Sequence, residues 1–454
     1  MLPQTDAFHQ SSHQILLAMK ELQIGQLLRQ ANIRKACGIP VLDLFHALIL
    51  LVFHGKNLFR FLHSEHNSCT VSKNAFYRFL GNPSFNWHRF LLLLAVRITK
   101  VFRSLTGSSR KKMLVLDDSV LSRNRSKSVE LLARVYDHVN HQYLRGFNLL
   151  ALGWTDGFSF VPVAFNLLSS AKKQNRYQEA AGQGVDHRTN GWKARMGSML
   201  QKPEAAFLMI QRALDAGIEA DYILMDSWFT NDPFIQKLRD IGLHVIGMVR
   251  NGNQRYLYQG RFFSLSQLAR LAMRGNAGTP YCSLVAKTGK HKVPVRIILV
   301  RNRNKRSEFL YLLTTDLGLS DDEAVRLYGN RWSIETFFKA SKSLFRLCDE
   351  FQTRNYDSAL AHTALVFTRY MVLEWIRRQE TDQRTFGGLF FAVCDEVQDM
   401  ELSEALRSLM ALFVEILNEG SAENTEVIKS KVTFWIASQS RYIRALLGDL
   451  CWES

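Results

Sequence analysis

The sequence predicts an α/β protein in which a central domain with a β-rich insertion lies between helical N-terminal and C-terminal domains. Apolar residues follow a helical period up to about residue 106, a strand-like period from Met113 onward, and a helical period again beyond residue 346. Within the centre, a predicted β-hairpin is followed by a β-α-β unit, which is typical of an α/β layer arrangement. At 454 residues the chain is long enough for several domains.

A helical domain is predicted over residues 1–106, and it ends at a polar, basic joint. A short amphipathic pattern between residues 69 and 80 predicts a helix that buries Phe76 and Leu80. Four polar side chains then point outward, as they do on a DNA recognition helix: Lys73, Asn74, Tyr77 and Arg78. A purely structural amphipathic helix is the alternative.

The central domain is predicted over residues 111–345. Met113 to Asp118 is expected to form a short apolar strand ending in acids, and two further strands turn at residues 155–157. A helix, a strand from Tyr222 to Asp226, a second helix and another strand follow. Short strand-like runs separated by basic turns predict a β-rich insertion over residues 251–315.

A single helix is predicted from about residue 321 to residue 346, because it starts with three acids and contains no proline. Ile334, Phe338 and Phe345 form an apolar stripe that suits packing against a core. A second stripe, roughly 60° wide, holds residues spaced i, i+3, i+7 and i+14: Tyr328, Arg331, Glu335 and Lys342. One carboxylate flanked by two cations and a phenol indicates a metal ligand among phosphate-holding groups. A solvated face with incidental ion pairs is the alternative.

The charge is distributed unevenly along the chain. The formal net charge is +17, and residues 1–110 carry 13 Lys and Arg against 4 Asp and Glu, whereas residues 346–454 carry a net charge of −6. This distribution predicts a polyanionic partner, nucleic acid, for the N-terminal and central domains. The C-terminal domain, predicted over residues 346–454, is expected to contact protein or solvent.

Apolar positions in the C-terminal helices are compatible with dimerisation, and a helical layer packed on the chain's own central domain is the alternative. They are Leu389, Val393, Val397, Leu406, Leu409, Leu412, Phe413 and Ile416.

The expected compartment is the cytoplasm. The six cysteines include no Cys-x-x-Cys pair, which fits a reducing environment. The longest apolar run, from Val41 to Phe53, is interrupted by Asp43 and His46 and is too short to cross a bilayer. Because no targeting signal is apparent either, no membrane contact is expected.

Two predicted strand-end aspartates complete a candidate site with the helical glutamate: Asp117, Asp226 and Glu335. Grouped carboxylates repel one another and are stable only around a cation. Hard oxygen ligands without His or Cys favour Mg²⁺ or Mn²⁺, and two such ions support phosphodiester chemistry. Arg331 and Lys342 would then hold phosphates, and Tyr328 would donate a hydrogen bond. A turn or capping role is the alternative for each aspartate.

In these residues the chain resembles the DDE transposases of bacterial insertion sequences, in the insertion-sequence-four group with the Tyr-Arg-Glu-Lys signature. The similarity covers roughly residues 111–345. It is carried by Leu-Asp117-Asp-Ser119, Met-Asp226-Ser-Trp228 and Tyr328-x2-Arg331-x3-Glu335-x6-Lys342. The resemblance implies an RNase H-like catalytic domain that cuts and pastes a DNA element with terminal inverted repeats. The implied steps are nicking, 3′-OH attack, hairpin formation and strand transfer.

The resemblance also implies roles for individual residues. Asp117, Asp226 and Glu335 would be the catalytic triad and would bind two Mg²⁺ or Mn²⁺ ions. Asp117 fits better than Asp118, because the family's first strand ends Asp-x-Thr/Ser and Ser119 completes that frame. The signature's phosphate contacts would fall to Tyr328, Arg331 and Lys342.

The flanking domains and the insertion match the family less well. The N-terminal domain would bind the terminal repeats, and the C-terminal domain would mediate a homodimer in the synaptic complex. Relatives stack a flipped base on a tryptophan of the insertion, but residues 251–315 contain none. The candidate substitutes are Tyr256, Tyr258, Phe262, Phe263 and Tyr281, with ordinary core positions as the alternative.

Two other functions remain open. One is an RNase H-like DNA nuclease that does not transfer strands. The other is a transposase-derived DNA-binding protein without catalytic activity, although the presence of all three acids counts against it.

Overall fold

The computed structural model describes residues 14–63, 71–107, 110–138, 140–180, 185–274, 281–301, 309–347, 349, 354–379, 385–397, 406, 409, 412–413 and 425–438. Helices come first, as the helical period predicts. They are α1 (Gln14–Glu21), α2 (Ile24–Gln30), α3 (Val41–Leu50), α4 (Leu58–Leu62), α5 (Lys73–Leu80) and α6 (Trp87–Ser104). On α5, Phe76 and Leu80 are buried and Lys73, Asn74 and Arg78 are exposed, as predicted, whereas Tyr77 is half-buried against the core.

A large mixed sheet forms the centre. Its strands are β1 (Met113–Ser122), β2 (Ala133–Asp137), β3 (Gln142–Thr155), β4 (Phe160–Leu168), β5 (Tyr222–Met225), β6 (His244–Val249), β7 (Arg255–Tyr258), β8 (Arg261–Ser264), β9 (Tyr281–Thr288), β10 (Pro294–Arg301) and β11 (Phe309–Thr314). On one side β1 pairs antiparallel with β3, and β3 pairs antiparallel with β4. On the other side β1, β5 and β6 run parallel. This mixed α/β arrangement is consistent with an RNase H-like domain.

Further helices cover the sheet and follow it. They are α7 (Asn190–Ser198), α8 (Lys202–Asp215), α9 (Asp232–Asp240), α10 (Leu265–Arg274), α11 (Asp321–Gly329), α12 (Trp332–Ser343), α13 (Tyr356–Gln379), α14 (386–397) and α15 (Thr425–Ser438). Helix α8 packs against β3 and β4, and α13 packs against β4 and α6. The predictions for 251–315 missed α10, and the central prediction missed β2.

The sheet differs from the prediction in two further respects. Strand β1 does not end at the acids but continues to Ser122, because β3 goes on pairing with it as far as Gly146. The strands of the predicted insertion extend the main sheet, since β11 pairs with β6 and the order then runs β10, β9, β7 and β8.

The N-terminal helices, the sheet and α13 share one hydrophobic core. Leu389, Val393 and Val397 are buried in it, so these three positions pack within the chain. Leu406 and Phe413 are exposed. Ile416 lies outside the described residues. None of the described helices has both the length and the apolarity needed to cross a bilayer.

Candidate active site

The register of the parallel strands brings two predicted acids together. Leu116 of β1 pairs with Met225 of β5 at the last step of their parallel ladder. Asp117 directly follows Leu116, and Asp226 directly follows Met225. Neighbouring strands lie about 4.8 Å apart. The two carboxylates therefore belong to the same edge of the parallel sheet, where sites form in α/β folds.

The carboxylate of Asp226 is held by the turn that follows it. It accepts hydrogen bonds from the backbone N–H groups of Trp228, at 3.0 Å, and Phe229, at 3.3 Å. The hydroxyl of Thr230 donates to the Asp226 carbonyl at 2.7 Å. These local bonds orient the side chain before any ligand arrives.

The helix predicted from 321 to 346 is wrong in one respect, because the structure has two helices, α11 and α12, separated at Asn330 and Arg331. The N–H of Arg331 donates to the Tyr328 carbonyl, and that of Ser333 donates to the Asn330 carbonyl, so the chain tightens into i to i+3 turns. Gly329, a weak helix former, precedes the break.

Arg331 links the two sides of the site. Its Nη1 lies 3.1 Å from Asp117 Oδ2, and its Nη2 lies 2.5 Å from Glu335 Oε1. Its guanidinium carbon lies 5.7 Å from the centre of the Tyr328 ring. The structure therefore brings Asp117, Tyr328, Arg331 and Glu335 together, although they come from three secondary-structure elements and the turn between two of them.

Lys342 reaches β1 farther along the strand. Its Nζ donates to Ser119 Oγ at 2.7 Å and to the Val120 carbonyl at 3.0 Å. Two members of the predicted stripe, Arg331 and Lys342, thus bond to β1. The second, apolar stripe is buried at Ile334, Phe338 and Phe345.

Asp118 has different partners from Asp117. Its carboxylate accepts hydrogen bonds from Asn148 Nδ2, at 2.5 Å, and from Lys202 Nζ, at 2.9 Å. The Lys202 ammonium also lies 4.4 Å from the centre of the Trp228 ring. Asp118 is thus paired with Lys202, whereas Asp117 shares the Arg331 cation with Glu335.

Burial shifts the pKa values of two groups at the site. Burial raises the pKa of the Asp117 carboxyl from its ordinary value of 3.8 to about 7, and the charges of Asp226 and Asp118 act in the same direction against Arg331. Burial, aided by Asp226 and Asp117, also raises the pKa of the Tyr328 phenol to about 12. The phenol is therefore a hydrogen-bond donor at neutral pH.

The residues fit a divalent metal ion by their chemistry. Asp117, Asp226 and Glu335 offer only hard carboxylate oxygens, which Mg²⁺ and Mn²⁺ prefer. Within the described residues, no three Asp, Glu, His or Cys side chains come close enough together to hold an ion. Arg331 lies between Asp117 and Glu335, so ion binding requires these side chains to rearrange.

Sequence reasoning missed two cations around the site. Lys202 bonds Asp118, and Arg250 donates to Ser227 Oγ, the residue after Asp226. Trp228 and Trp332 are exposed beside Asp226 and Arg331 respectively. The tryptophans stand inside the quoted motifs, whereas no spacing in the sequence points to Lys202 or Arg250.

The aromatic candidates of the insertion differ in exposure. Phe262 is 58% exposed and lies 4.2 Å from the Lys292 ammonium, measured to the ring centre. Tyr256 is buried, which makes it a core residue, and Tyr258, Phe263 and Tyr281 are half-buried. Phe262 is therefore the most exposed of the five candidates.

Two family models match the chain. A model described as DDE superfamily endonuclease matches residues 51–264, and one described as Transposase DDE domain matches residues 203–372. The first segment contains Asp117 and Asp226, and the second contains Asp226 and Glu335. No curated protein matches significantly. The mixed sheet, the three acids and these two matches together support a DDE transposase or endonuclease, a class of enzyme that acts on DNA.

Proposed function

We propose that this chain is a DNA transposase that binds terminal inverted repeats and catalyses Mg²⁺-dependent cleavage and strand transfer, by way of hairpin ends. One observation carries the proposal. Asp117 and Asp226 follow paired positions of two parallel strands, and Arg331 joins Asp117 to Glu335 of α12. A purely structural site has no need to place Asp117 and Asp226, whose charges repel, at one edge of the sheet and to link Glu335 to Asp117 through a shared arginine.

The chain's own residues would do the following. Asp117, Asp226 and Glu335 would hold Mg²⁺, which supplies activation of the attacking oxygen and charge stabilisation at the leaving oxygen. Arg331 would grip a phosphate through its planar fork, and the Tyr328 phenol would donate a hydrogen bond to it. Lys342, which bonds to Ser119 and Val120, would contact the adjacent part of the DNA sugar-phosphate backbone.

The substitution Glu335→Gln tests the catalytic role. We expect cleavage of element-end DNA in Mg²⁺ to fall by more than about 10²-fold, since loss of a metal-supporting group alone costs about 10–100-fold. DNA binding should persist, because the Glu335 side chain is 34% exposed and its loss should not disturb the hydrophobic core. Gel-shift and cleavage assays on the DNA flanking the gene measure both. Loss of binding together with cleavage would assign Glu335 a structural role.

A plain endonuclease is the second candidate, and the endonuclease family match favours it. Labelled ends incubated with wild-type protein, Mg²⁺ and target DNA separate the two. Joined products support a transposase, whereas cleavage without joining supports the nuclease.

We also propose a homodimer in the synaptic complex. The exposed Leu406 and Phe413 of the C-terminal helices support it, since large exposed apolar side chains are common at interfaces.

A further inference from the structure

A basic groove lies between α5 and the residues that follow β1. One wall is the exposed face of α5 at Lys73 and Asn74, and the other is residues 123–129, named here the β1 loop. The groove has a volume of about 1620 Å³. Among the described residues, five cations line it against one carboxylate, that of Asp349: Lys73, Arg123, Arg125, Lys127 and Arg354.

The backbone of the β1 loop is fixed by its neighbours. The Arg123 N–H donates to the Arg145 carbonyl at 2.6 Å, and the Arg145 N–H donates to Asn124 Oδ1 at 2.9 Å. Gln178 donates to the Lys127 carbonyl at 3.0 Å. The side chains of Arg125 and Lys127 are nevertheless exposed. An anchored backbone with free cationic side chains binds an anion at a low ordering cost.

The β1 loop also lies at a defined distance from the candidate active site. Strand β1 runs unbroken from Asp117 to Ser122, which is about 17 Å at 3.3 Å per residue. That span corresponds to about 5 base pairs of B-DNA. Lys342 contacts the strand between the two points, so cations follow β1 from Arg331 to the groove.

We propose that the β1 loop groove binds the sugar-phosphate backbone of the duplex DNA whose scissile phosphate lies at Asp117. The contact falls about 5–7 base pairs from that phosphate. This inference rests on the proposed function. Phosphate contacts fix register without reading sequence, while Asn74 on the facing wall is placed to reach base edges. The groove would thus set the distance between the recognised sequence and the cut.

Salt dependence of binding tests the groove in the full-length protein. Each lost phosphate contact makes the negative slope of log affinity against log salt shallower by about 0.9. The double variant Arg125→Gln with Lys127→Gln should therefore make it shallower by about 1.8. The affinity ratio between 50 and 200 mM salt then shrinks by about 12-fold. The matched control is Lys20→Gln with Arg29→Gln, which removes the same charge from exposed positions outside the groove. An equal change in both variants would overturn the inference.

Phosphate-ethylation interference tests the distance. Ethylation about 5–7 base pairs from the cut should weaken wild-type binding but not that of the double variant, and ethylation beside the cut should weaken both. A duplex shortened to about 4 base pairs beyond the cut should bind the two proteins equally. If wild type cleaves ends but ignores the distal ethylations, the inference fails and the proposed function stands. If wild type neither cleaves nor joins ends, the proposed function fails and the inference with it.

Discussion

Asp117 and Asp118 are neighbours on β1, but their carboxylates have different surroundings. Asp118 is paired with Lys202 and Asn148, which satisfy its charge. Asp117 shares Arg331 with Glu335 and lies near Asp226, and burial raises its pKa to about 7. Asp117 therefore shares its cation with a second carboxylate, whereas Asp118 is paired with Lys202, and this difference underlies the proposed choice of Asp117 as a metal ligand.

Thermal unfolding with and without Mg²⁺ tests this difference. Ligand binding to the native state raises the free energy of unfolding by RT ln(1 + [L]/Kd). The ionised form of Asp117 attracts the ion, whereas its protonated form does not. We expect Mg²⁺ to raise the melting temperature of the wild type, with a gain that grows as pH rises through about 7. Asp117→Asn should abolish the gain, and Asp118→Asn should keep it.

The ion-free protein has its own pH dependence from the same group. The folded-state pKa of Asp117 lies above its ordinary value of 3.8, so its stabilising contribution is complete below about pH 4 and is lost as pH rises through about 7. In chelator at pH 8, Asp117→Asn should therefore melt above the wild type. A Mg²⁺ response retained by Asp117→Asn and lost by Asp118→Asn would reverse the assignment.

Among the secondary-structure elements, a buried ion network ties the β1 loop to two helices. Arg195 of α7 contacts Glu130, just after the loop, at 2.6 Å and Asp357 of α13 at 2.8 Å. The Glu130 N–H donates to the Arg354 carbonyl at 2.8 Å. All three charged side chains are at most 8% exposed. The network thus positions both the loop and Arg354 of the groove.

Arg195→Met should therefore destabilise the protein strongly. The substitution leaves two buried carboxylates without their cation, and breaking a buried pair in this way costs about 3–5 kcal/mol. Chemical denaturation measures the change. The matched control is Arg188→Met, whose pair with Asp186 is exposed and whose loss should leave the unfolding free energy unchanged. Equal effects of the two variants would contradict the role of the network.

At the scale of the whole molecule, the N-terminal helices and the central sheet are not independent. Arg369 of α13 is buried and donates from Nε to the Ile49 carbonyl of α3 at 3.0 Å. The rings of Phe102 on α6 and Trp375 on α13 are stacked at 6.0 Å. Removing the N-terminal helices would expose this part of the core to water, at a cost of about 25 cal/mol per Å² of apolar surface.

A chain that starts at residue 107 should therefore aggregate rather than fold as a catalytic domain. The role of α5 in end recognition is better tested by Asn74→Ala, because this side chain is exposed. We expect an unchanged melting temperature and a loss of about 1–3 kcal/mol in the preference for element ends over unrelated DNA. Competition binding measures the preference. A soluble, folded truncation that still footprints the ends would show that the helices are dispensable.

The sequence by itself predicted the α/β class, the positions of most helices and strands, and the candidate acids Asp117, Asp226 and Glu335. These features are local, since the hydrophobic period and the residue spacing depend on near neighbours in the chain. The break at Asn330 escaped prediction, because the turn is held by bonds that propensity alone does not reveal.

Only the tertiary structure decided what meets at the site. The pairing of Leu116 with Met225 aligns two aspartates that are 109 residues apart, and Arg331 then bridges Asp117 to Glu335. Long-range contacts also give Asp118 a different partner, Lys202, from that of Asp117. They further form the groove between α5 and the β1 loop. Strand register and packing bring together residues far apart in the chain, so no short stretch of sequence specifies these contacts.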